Sequence, residues 1–345
     1  MKPRGQKTTV LFAALLGLAV PVLAGADNPV PQAGQKLAAI FEKAKVTVAV
    51  TDSGLGGLSV LAEAARKVKE ARIFAAADFA FFNALFSTEG GYNSLKTRQE
   101  KIAVFDSALD SLEKKSRPDV ILIGCNTLSV LYEDTPFSKR TKTPVIGIVD
   151  PGVDLIAWNL ASRPDSSVII FGTPTTIAEE THKQRLMELG FSEQWIITQS
   201  CPELENFIEK DNGGEETAML ISGCVAEAVQ RIPLPRPPLF VSLNCTHYGY
   251  SLPLWEKAFE ESGIKPLAFL NPNSRMADVL ARPEFSNRHP QTEISVRVIS
   301  MVEIGRDQVD SLAKWLQETS PETAAALRNY DLEPTLFEWK TLIKR

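Results

Sequence analysis

Two cysteines stand where apolar runs end, and small polar residues follow each of them. Residues 121–130 read ILIGCNTLSV and contain Cys125, and residues 239–250 read LFVSLNCTHYGY and contain Cys245. The polar residues that follow are Asn126 and Thr127 in the first run, and Thr246 and His247 in the second. A helix that begins after a thiol lowers the thiol's pKa and offers N–H groups to an anion. The two runs can therefore present two thiols to one small acid.

Two thiols on opposite faces of one carbon atom are suited to inverting that carbon by proton transfer. One thiol removes a proton from one face, and the other returns a proton to the opposite face. Each thiol needs a partner that tunes its protonation. Asp52 is the expected carboxylate partner of Cys125, and His247 is the expected imidazole partner of Cys245. This chemistry requires no cofactor. The three histidines and four cysteines include no CxxC pair, so no metal site is predicted either.

The rest of the chain reads as the framework that positions these residues. Apolar strand patterns alternate with helical patterns throughout, and the alternation restarts near Pro151. The predicted strands are residues 46–50, 72–78, 119–124, 144–149, 166–172, 195–200, 237–243, 265–270 and 293–300. This order predicts an α/β fold with two doubly wound parallel sheets. Ligands bind at the carboxyl ends of parallel strands, where we expect Asp52, Asp78, Cys125, Asp150, Cys201 and Cys245.

The first 24 residues and the charge balance restrict location and partners. Residues 1–24 combine a basic start, an apolar run and a small-residue cleavage pattern, which predicts a secretory signal peptide and an exported, periplasmic protein. No later segment is long and apolar enough for a membrane span. The formal net charge of −5 argues against a nucleic-acid partner. The 44% of hydrophobic residues is typical of a globular chain.

Several motifs together resemble one family. VAVTDSGLGGLSVL, ILIGCNTLSVL, PVIGIVDPG, VIIFGTPTTI and LFVSLNCTHY follow one another as in the cofactor-independent aspartate/glutamate racemases, and the likeness is strongest to the glutamate racemases. The resemblance covers roughly residues 46–318. It implies two pseudo-symmetric domains with the active site in the cleft between them. It also implies that Cys125 acts on the α-proton of the D-enantiomer and Cys245 on that of the L-enantiomer.

The same resemblance implies substrate contacts and domain limits. The implied contacts with a small amino acid, glutamate above all, are Asp52, Ser53, Tyr92, Asn93, Asn126, Thr127, Thr246 and His247. The implied organisation is a signal peptide over 1–24, a lead over 25–45, one domain over 46–146 plus 272–318, a second over 147–271, and a helical tail over 319–345. The glycines of the GLGG loop, residues 54–57, would let the backbone approach the substrate carboxylate. A homodimer is also implied.

The sequence leaves some alternatives open. The chain could instead be an exported binding protein for acidic amino acids with lapsed catalysis, or a hydantoin racemase or maleate isomerase type of enzyme. A disulfide between Cys125 and Cys245 would abolish proton transfer, and a bridge between Cys201 and Cys224 is an open question. Asn93 stands where the family has a glycine, which leaves the preferred amino acid undecided.

Overall fold

The computed structural model describes residues 37–343, so the expected signal peptide lies outside the described residues. The strands are β1 Lys45–Asp52, β2 Ala76–Asn83, β3 Val120–Ile123, β4 Val145–Gly147, β5 Ser167–Gly172, β6 Ile196–Ser200, β7 Leu239–Asn244, β8 Ala268–Leu270, β9 Glu293–Ser300 and β10 Asp331–Leu332. The helices are α1 Leu58–Ala71, α2 Arg98–Ser116, α3 Asn126–Tyr132, α4 Pro136–Arg140, α5 Val149–Ser162, α6 Pro174–Ala178, α7 Thr181–Glu188, α8 Leu204–Lys210, α9 Glu215–Val229, α10 Leu252–Glu261, α11 Pro272–Ala277, α12 Arg306–Thr319 and α13 Pro321–Arg328.

The strands form two parallel sheets with a repeated strand order. One sheet has the order β10-β9-β2-β1-β3-β4, and the other has the order β6-β5-β7-β8. Counted along the chain within each unit, the strands lie side by side in the order second, first, third, fourth. This order is β2-β1-β3-β4 in one sheet and β6-β5-β7-β8 in the other. All pairings in both sheets are parallel. The predicted class, two pseudo-symmetric doubly wound α/β units, is confirmed. Cys125 and Cys245 follow the third strand of their respective units.

The sheets are covered on both faces, which explains their apolar strands. Every residue of β3, β5 and β7 is buried, as expected for parallel strands under two helical layers. Helix α1 packs a stripe that includes Leu58, Leu61, Ala65 and Val68 into the core. Burying each of its leucines contributes roughly 1.5–3 kcal/mol. This rigid core fixes the strand ends from which the loops leave.

Two predicted strand-end aspartates lie outside the candidate site, and the position of one of them was wrong. β2 begins four residues later than predicted, because the phenylalanine-rich stretch after Asp78 supplies its buried residues. Asp78 therefore lies near the start of β2, where Lys45 Nζ binds its carboxylate at 2.7 Å. Asp150 lies in the first turn of α5 and forms an ion pair with Arg185 at the surface. Neither aspartate belongs to the candidate site.

The chain departs from the predicted helices in three places. The continuous helical pattern that the sequence shows over residues 175–189 is divided between α6 and α7, which are separated where Glu180 adopts a φ of 52°. Helix α8, after β6, was not predicted. The C-terminal segment is not only helical, because after α13 it adds β10 to the edge of β9, and Phe337 and Trp339 pack on Phe82 and Phe86. Among residues 37–343, no helix is both long and apolar enough to span a membrane.

Candidate active site

Cys125 and its nearest polar neighbours lie at the carboxyl ends of β1 and β3. The Cys125 thiol is buried, and Ser53 Oγ lies 3.1 Å from its Sγ. Burial raises the pKa of Cys125 well above 9.0, and the negative charge of Asp52 raises it further. The contact with Ser53 lowers the pKa of Cys125, but by less than burial and Asp52 raise it. The thiol is therefore neutral in the described conformation.

Cys245 has a different partner set on the second sheet. Its Sγ lies 3.5 Å from Nδ1 of His247, whose Nε2 lies 2.6 Å from Oε1 of Glu209. Burial raises the pKa of Cys245, while the hydrogen bond to His247 lowers it. Burial by itself would lower the pKa of His247, but the contacts with Cys245 and Glu209 outweigh burial and raise it well above 6.5. The arrangement therefore stabilises the imidazolium form of His247.

Glu209 is a site residue that sequence reasoning missed. It lies on α8 and is buried, and it also accepts hydrogen bonds from the Leu55 backbone N–H at 2.6 Å and from Gln308 Nε2 at 2.9 Å. These bonds fix the carboxylate that holds His247. Its position in the segment that follows β6, which ends at Ser200, was the available indication in the sequence, because parallel sheets collect functional residues beyond the carboxyl ends of their strands.

A direct hydrogen bond connects the ends of the two sheets. Thr246 Oγ1 donates to Asp52 Oδ2 at 2.8 Å. Burial raises the pKa of Asp52, and the charge of His247 and contacts with Thr246 and Cys125 offset only part of this effect. Asp52 thus touches the surroundings of both thiols. Its other oxygen, Oδ1, is buried and has no hydrogen-bond partner among residues 37–343.

The GLGG loop packs against protein side chains. A Cβ atom on Gly54 would lie 2.8 Å from Glu209 Oε1, and one on Gly57 would lie 2.7 Å from Asp52 Cβ. A Cβ atom on Gly56 would overlap Thr246 Oγ1 and lie 2.6 Å from His247 Nδ1. That these glycines let the backbone approach a substrate carboxylate stays a prediction. They make room for the side chains that surround the thiols.

The expected substrate turn, which contains Tyr92 and Asn93, forms hydrogen bonds with the second unit. Asn93 Nδ2 donates to Glu205 Oε1 at 3.1 Å, and Thr175 Oγ1 donates to Asn93 Oδ1 at 2.6 Å. Tyr92 is buried against Phe86 with edge-to-face ring geometry, and its hydroxyl has no partner in the described part of the chain. Asn93 therefore connects the two units, whereas the Tyr92 ring belongs to the core.

The residues that follow Cys125 are buried at the first turn of α3. Both amide atoms of Asn126 lack a hydrogen-bond partner within residues 37–343. Thr127 Oγ1 lies 2.8 Å from Thr173 Oγ1, which joins α3 to the loop after β5. A buried amide with both atoms unpaired is costly unless another group pairs with it. Asn126 is therefore suited to bind a ligand.

Among the four cysteines, the two at strand ends differ from expectation in the direction of their pKa shifts. All four are free and buried, so the structure has no bridge between Cys125 and Cys245, nor between Cys201 and Cys224. The helix start at Cys125 was expected to lower the thiol pKa, but burial raises the pKa of both Cys125 and Cys245. Within residues 37–343, no group of three or more His, Cys, Asp or Glu residues could hold a metal ion.

Together, fold and site define an α/β protein of two units, each of which has one free thiol at the equivalent strand end. The family described as Asp/Glu/Hydantoin racemase matches residues 56–234, and the chain belongs to that family. It is an isomerase of the racemase type. The family resemblance read from the motifs is confirmed.

Known relatives extend this similarity over most of the chain. The glutamate racemase of Trichodesmium erythraeum is 24% identical over 282 residues, which are 81% of this chain and 89% of the relative. The glutamate racemase of Aliarcobacter butzleri is 30% identical over 203 residues, 58% of this chain and 71% of the relative. The structure of glutamate racemase RacE1 from Bacillus anthracis has a TM-score of 0.59 at 18% identity, covering 84% of this chain and 96% of that one. That similarity concerns the fold.

Proposed function

We propose that the protein is a cofactor-independent amino-acid racemase, with glutamate, the amino acid in its relatives' names, as the reference substrate. One observation carries the proposal: two buried thiols follow equivalent strands, and each has its own buried proton-tuning partners. Asp52 and Ser53 accompany Cys125, and His247 with Glu209 accompanies Cys245. The bond from Thr246 to Asp52 holds the two sets together.

Cys245 starts the conversion of the L-enantiomer. His247 Nδ1 takes the thiol proton, and Glu209 stabilises the imidazolium through Nε2. The thiolate then removes the α-proton, and the electron pair of the C–H bond remains on the substrate. Cys125, neutral because it is buried beside Asp52, gives its proton to the opposite face. The reverse reaction starts from the Cys125 thiolate, so the roles of the two residues are exchanged.

The buried polar atoms supply the contacts to the reacting centre. Asp52 Oδ1, which is unpaired within the described residues, would accept a hydrogen bond from the α-ammonium group. Asn126 Nδ2, equally unpaired there, would donate to the α-carboxylate. An ammonium beside Asp52 also neutralises the charge that raises the pKa of Cys125. Substrate binding would therefore make the first thiol easier to ionise, which is what the reverse reaction needs.

Proton exchange at Cα tests the proposal directly. The protein is incubated in deuterated water with L-glutamate, with other L- and D-amino acids, and separately with hydantoins and with maleate. Deuterium at Cα together with loss of optical rotation is the expected result for at least one amino acid. Binding without exchange would indicate a binding protein, and turnover confined to hydantoins or maleate would indicate a different isomerase.

Location and assembly complete the proposal. The basic and apolar pattern of residues 1–24 supports export, and we propose that the mature enzyme works in the periplasm as a homodimer. Fractionation of cells that express the full chain would test the location. Sedimentation of the purified protein would test the dimer.

A further inference from the structure

Glu205 is a partly exposed glutamate with one buried oxygen, and the mechanism above does not use it. It lies on α8, one turn before Glu209. Its Oε1 accepts a hydrogen bond from Asn93 at 3.1 Å, and its Oε2 is buried without a partner among residues 37–343. The negative charge of Glu205 raises the pKa of Cys245, and the charge of His247 lowers the pKa of Glu205. The carboxylate thus lies beside the reacting centre with one oxygen available.

The open cleft next to the site is acidic. Its volume is about 650 Å³, and it extends from the surface to Leu55 and to Glu209, which holds His247. Four glutamates and no lysine or arginine line it within the described part of the chain; the glutamates are Glu89, Glu203, Glu209 and Glu303. A cleft lined by one sign of charge concentrates ligands of the opposite sign and repels like charges. A substrate that carries a side-chain carboxylate meets an unfavourable potential along this route.

A lysine lies on the far side of the same hydrogen-bond chain. Lys101 Nζ donates to Thr175 Oγ1 at 2.8 Å, and Thr175 in turn donates to Asn93. Burial lowers the pKa of Lys101, and Glu179 acts on it with the opposite sign. Thr175 and Asn93 separate this ammonium from Glu205. Glu205, at the other end of this chain, interacts by its charge with Cys245 and His247.

We propose, building on the racemase function above, that the preferred substrate is an α-amino acid whose side chain ends in a cation, either an ammonium or a guanidinium, bound by Glu205 Oε2 beside Asn93. Asp52 would hold the α-ammonium, and Glu205 would hold the distal cation. Burial raises the pKa of Glu205, which reflects a cost of keeping the carboxylate charged that a bound cation relieves. A buried charge is stable when it is paired.

The test compares substrates within one enzyme. Cα deuterium exchange is measured for lysine, ornithine, arginine, glutamine and glutamate, and kcat/KM is obtained for each. We expect one of the three cationic amino acids to exceed both glutamine and glutamate. Exchange that is faster with glutamate than with any cationic amino acid would overturn this inference and leave the racemase proposal standing. Exchange with no amino acid would overturn both.

Variants identify the residue responsible. Glu205→Gln keeps the shape and removes the charge, and the ratio of kcat/KM between the best cationic substrate and glutamate should fall roughly 10- to 100-fold, the effect of one charge-assisted hydrogen bond. Glu303→Gln removes the same charge from an exposed position on the cleft wall. In Glu303→Gln the same ratio of kcat/KM values should change by less than about threefold, and added salt should abolish that change. An unchanged ratio in Glu205→Gln, or equal changes in both variants, would overturn the assignment to Glu205.

Discussion

Replacing Gly56 with alanine tests whether the GLGG loop positions the groups around Cys245. The added Cβ atom would lie 2.6 Å from His247 Nδ1 and would overlap Thr246 Oγ1. Ordinary contact begins at 3.4 Å, so the loop and the imidazole must separate by 0.8 Å. The same displacement strains the hydrogen bond between Cys245 and His247 and the one that Thr246 donates to Asp52.

The size of the effect follows from that displacement. A misplacement of about 1 Å in a catalytic group can reduce the rate on the order of 10²-fold. We therefore expect kcat for Cα exchange to fall by about 10²-fold in Gly56→Ala. The free energy of unfolding should fall by about 1–3 kcal/mol, the usual cost of overpacking.

Gly223 provides the matched control. It lies exposed on α9, and a Cβ atom there would meet nothing within 4 Å. Gly223→Ala should keep full activity and gain up to about 1 kcal/mol of stability, because alanine favours a helix. Exchange rates and thermal unfolding are measured for both variants and the parent. Activity of Gly56→Ala within threefold of the parent would refute the positioning role of the loop.

Three further predictions concern the thiols, their partner and a buried histidine. Cys125→Ser and Cys245→Ser should each lower racemisation by about 10³-fold with little change in thermal unfolding; parent-like turnover in either would exclude the two-base mechanism. Glu209→Gln should lower the pKa of His247 and reduce kcat/KM by about 10²-fold; a loss of less than about threefold would contradict this role. His182 is buried, and burial lowers its pKa to about 4, so the neutral form is favoured in the folded state. Its stabilisation is present above pH 6.5 and is lost as pH falls toward 4, by about 2 kcal/mol between pH 7 and 5; the urea-unfolding free energy of His182→Gln should lack this decrease, and an equal decrease in variant and parent would contradict the assignment.

Much of the fold was predictable from local pattern. Apolar runs of strand length alternate with amphipathic stretches, and only parallel sheets under two helical layers bury both. The strand before Cys125 was placed to within a residue at each end, and so was the strand near residue 196. β2 was displaced because an alanine-rich lead and a phenylalanine-rich strand share one apolar run. In such a run, composition does not indicate where backbone pairing starts.

The short helix α8 shows what local pattern cannot give. It has seven residues, too few for a helical period to stand out. Its two glutamates resemble surface residues in the sequence. Glu209 acquires its role only through a hydrogen bond to His247, 38 residues away, and Glu205 through a bond to Asn93, 112 residues away.

The sequence by itself determined the α/β class, the restart of the strand and helix alternation, and the two thiols with their immediate polar neighbours, because these depend on spacing along the chain. Only the tertiary structure decided which residues surround the thiols and how their pKa values shift. Burial and charge depend on groups from both sheets. Asp52 meets Thr246 across 194 positions, and burial outweighs the helix start that local sequence suggested would make Cys125 acidic.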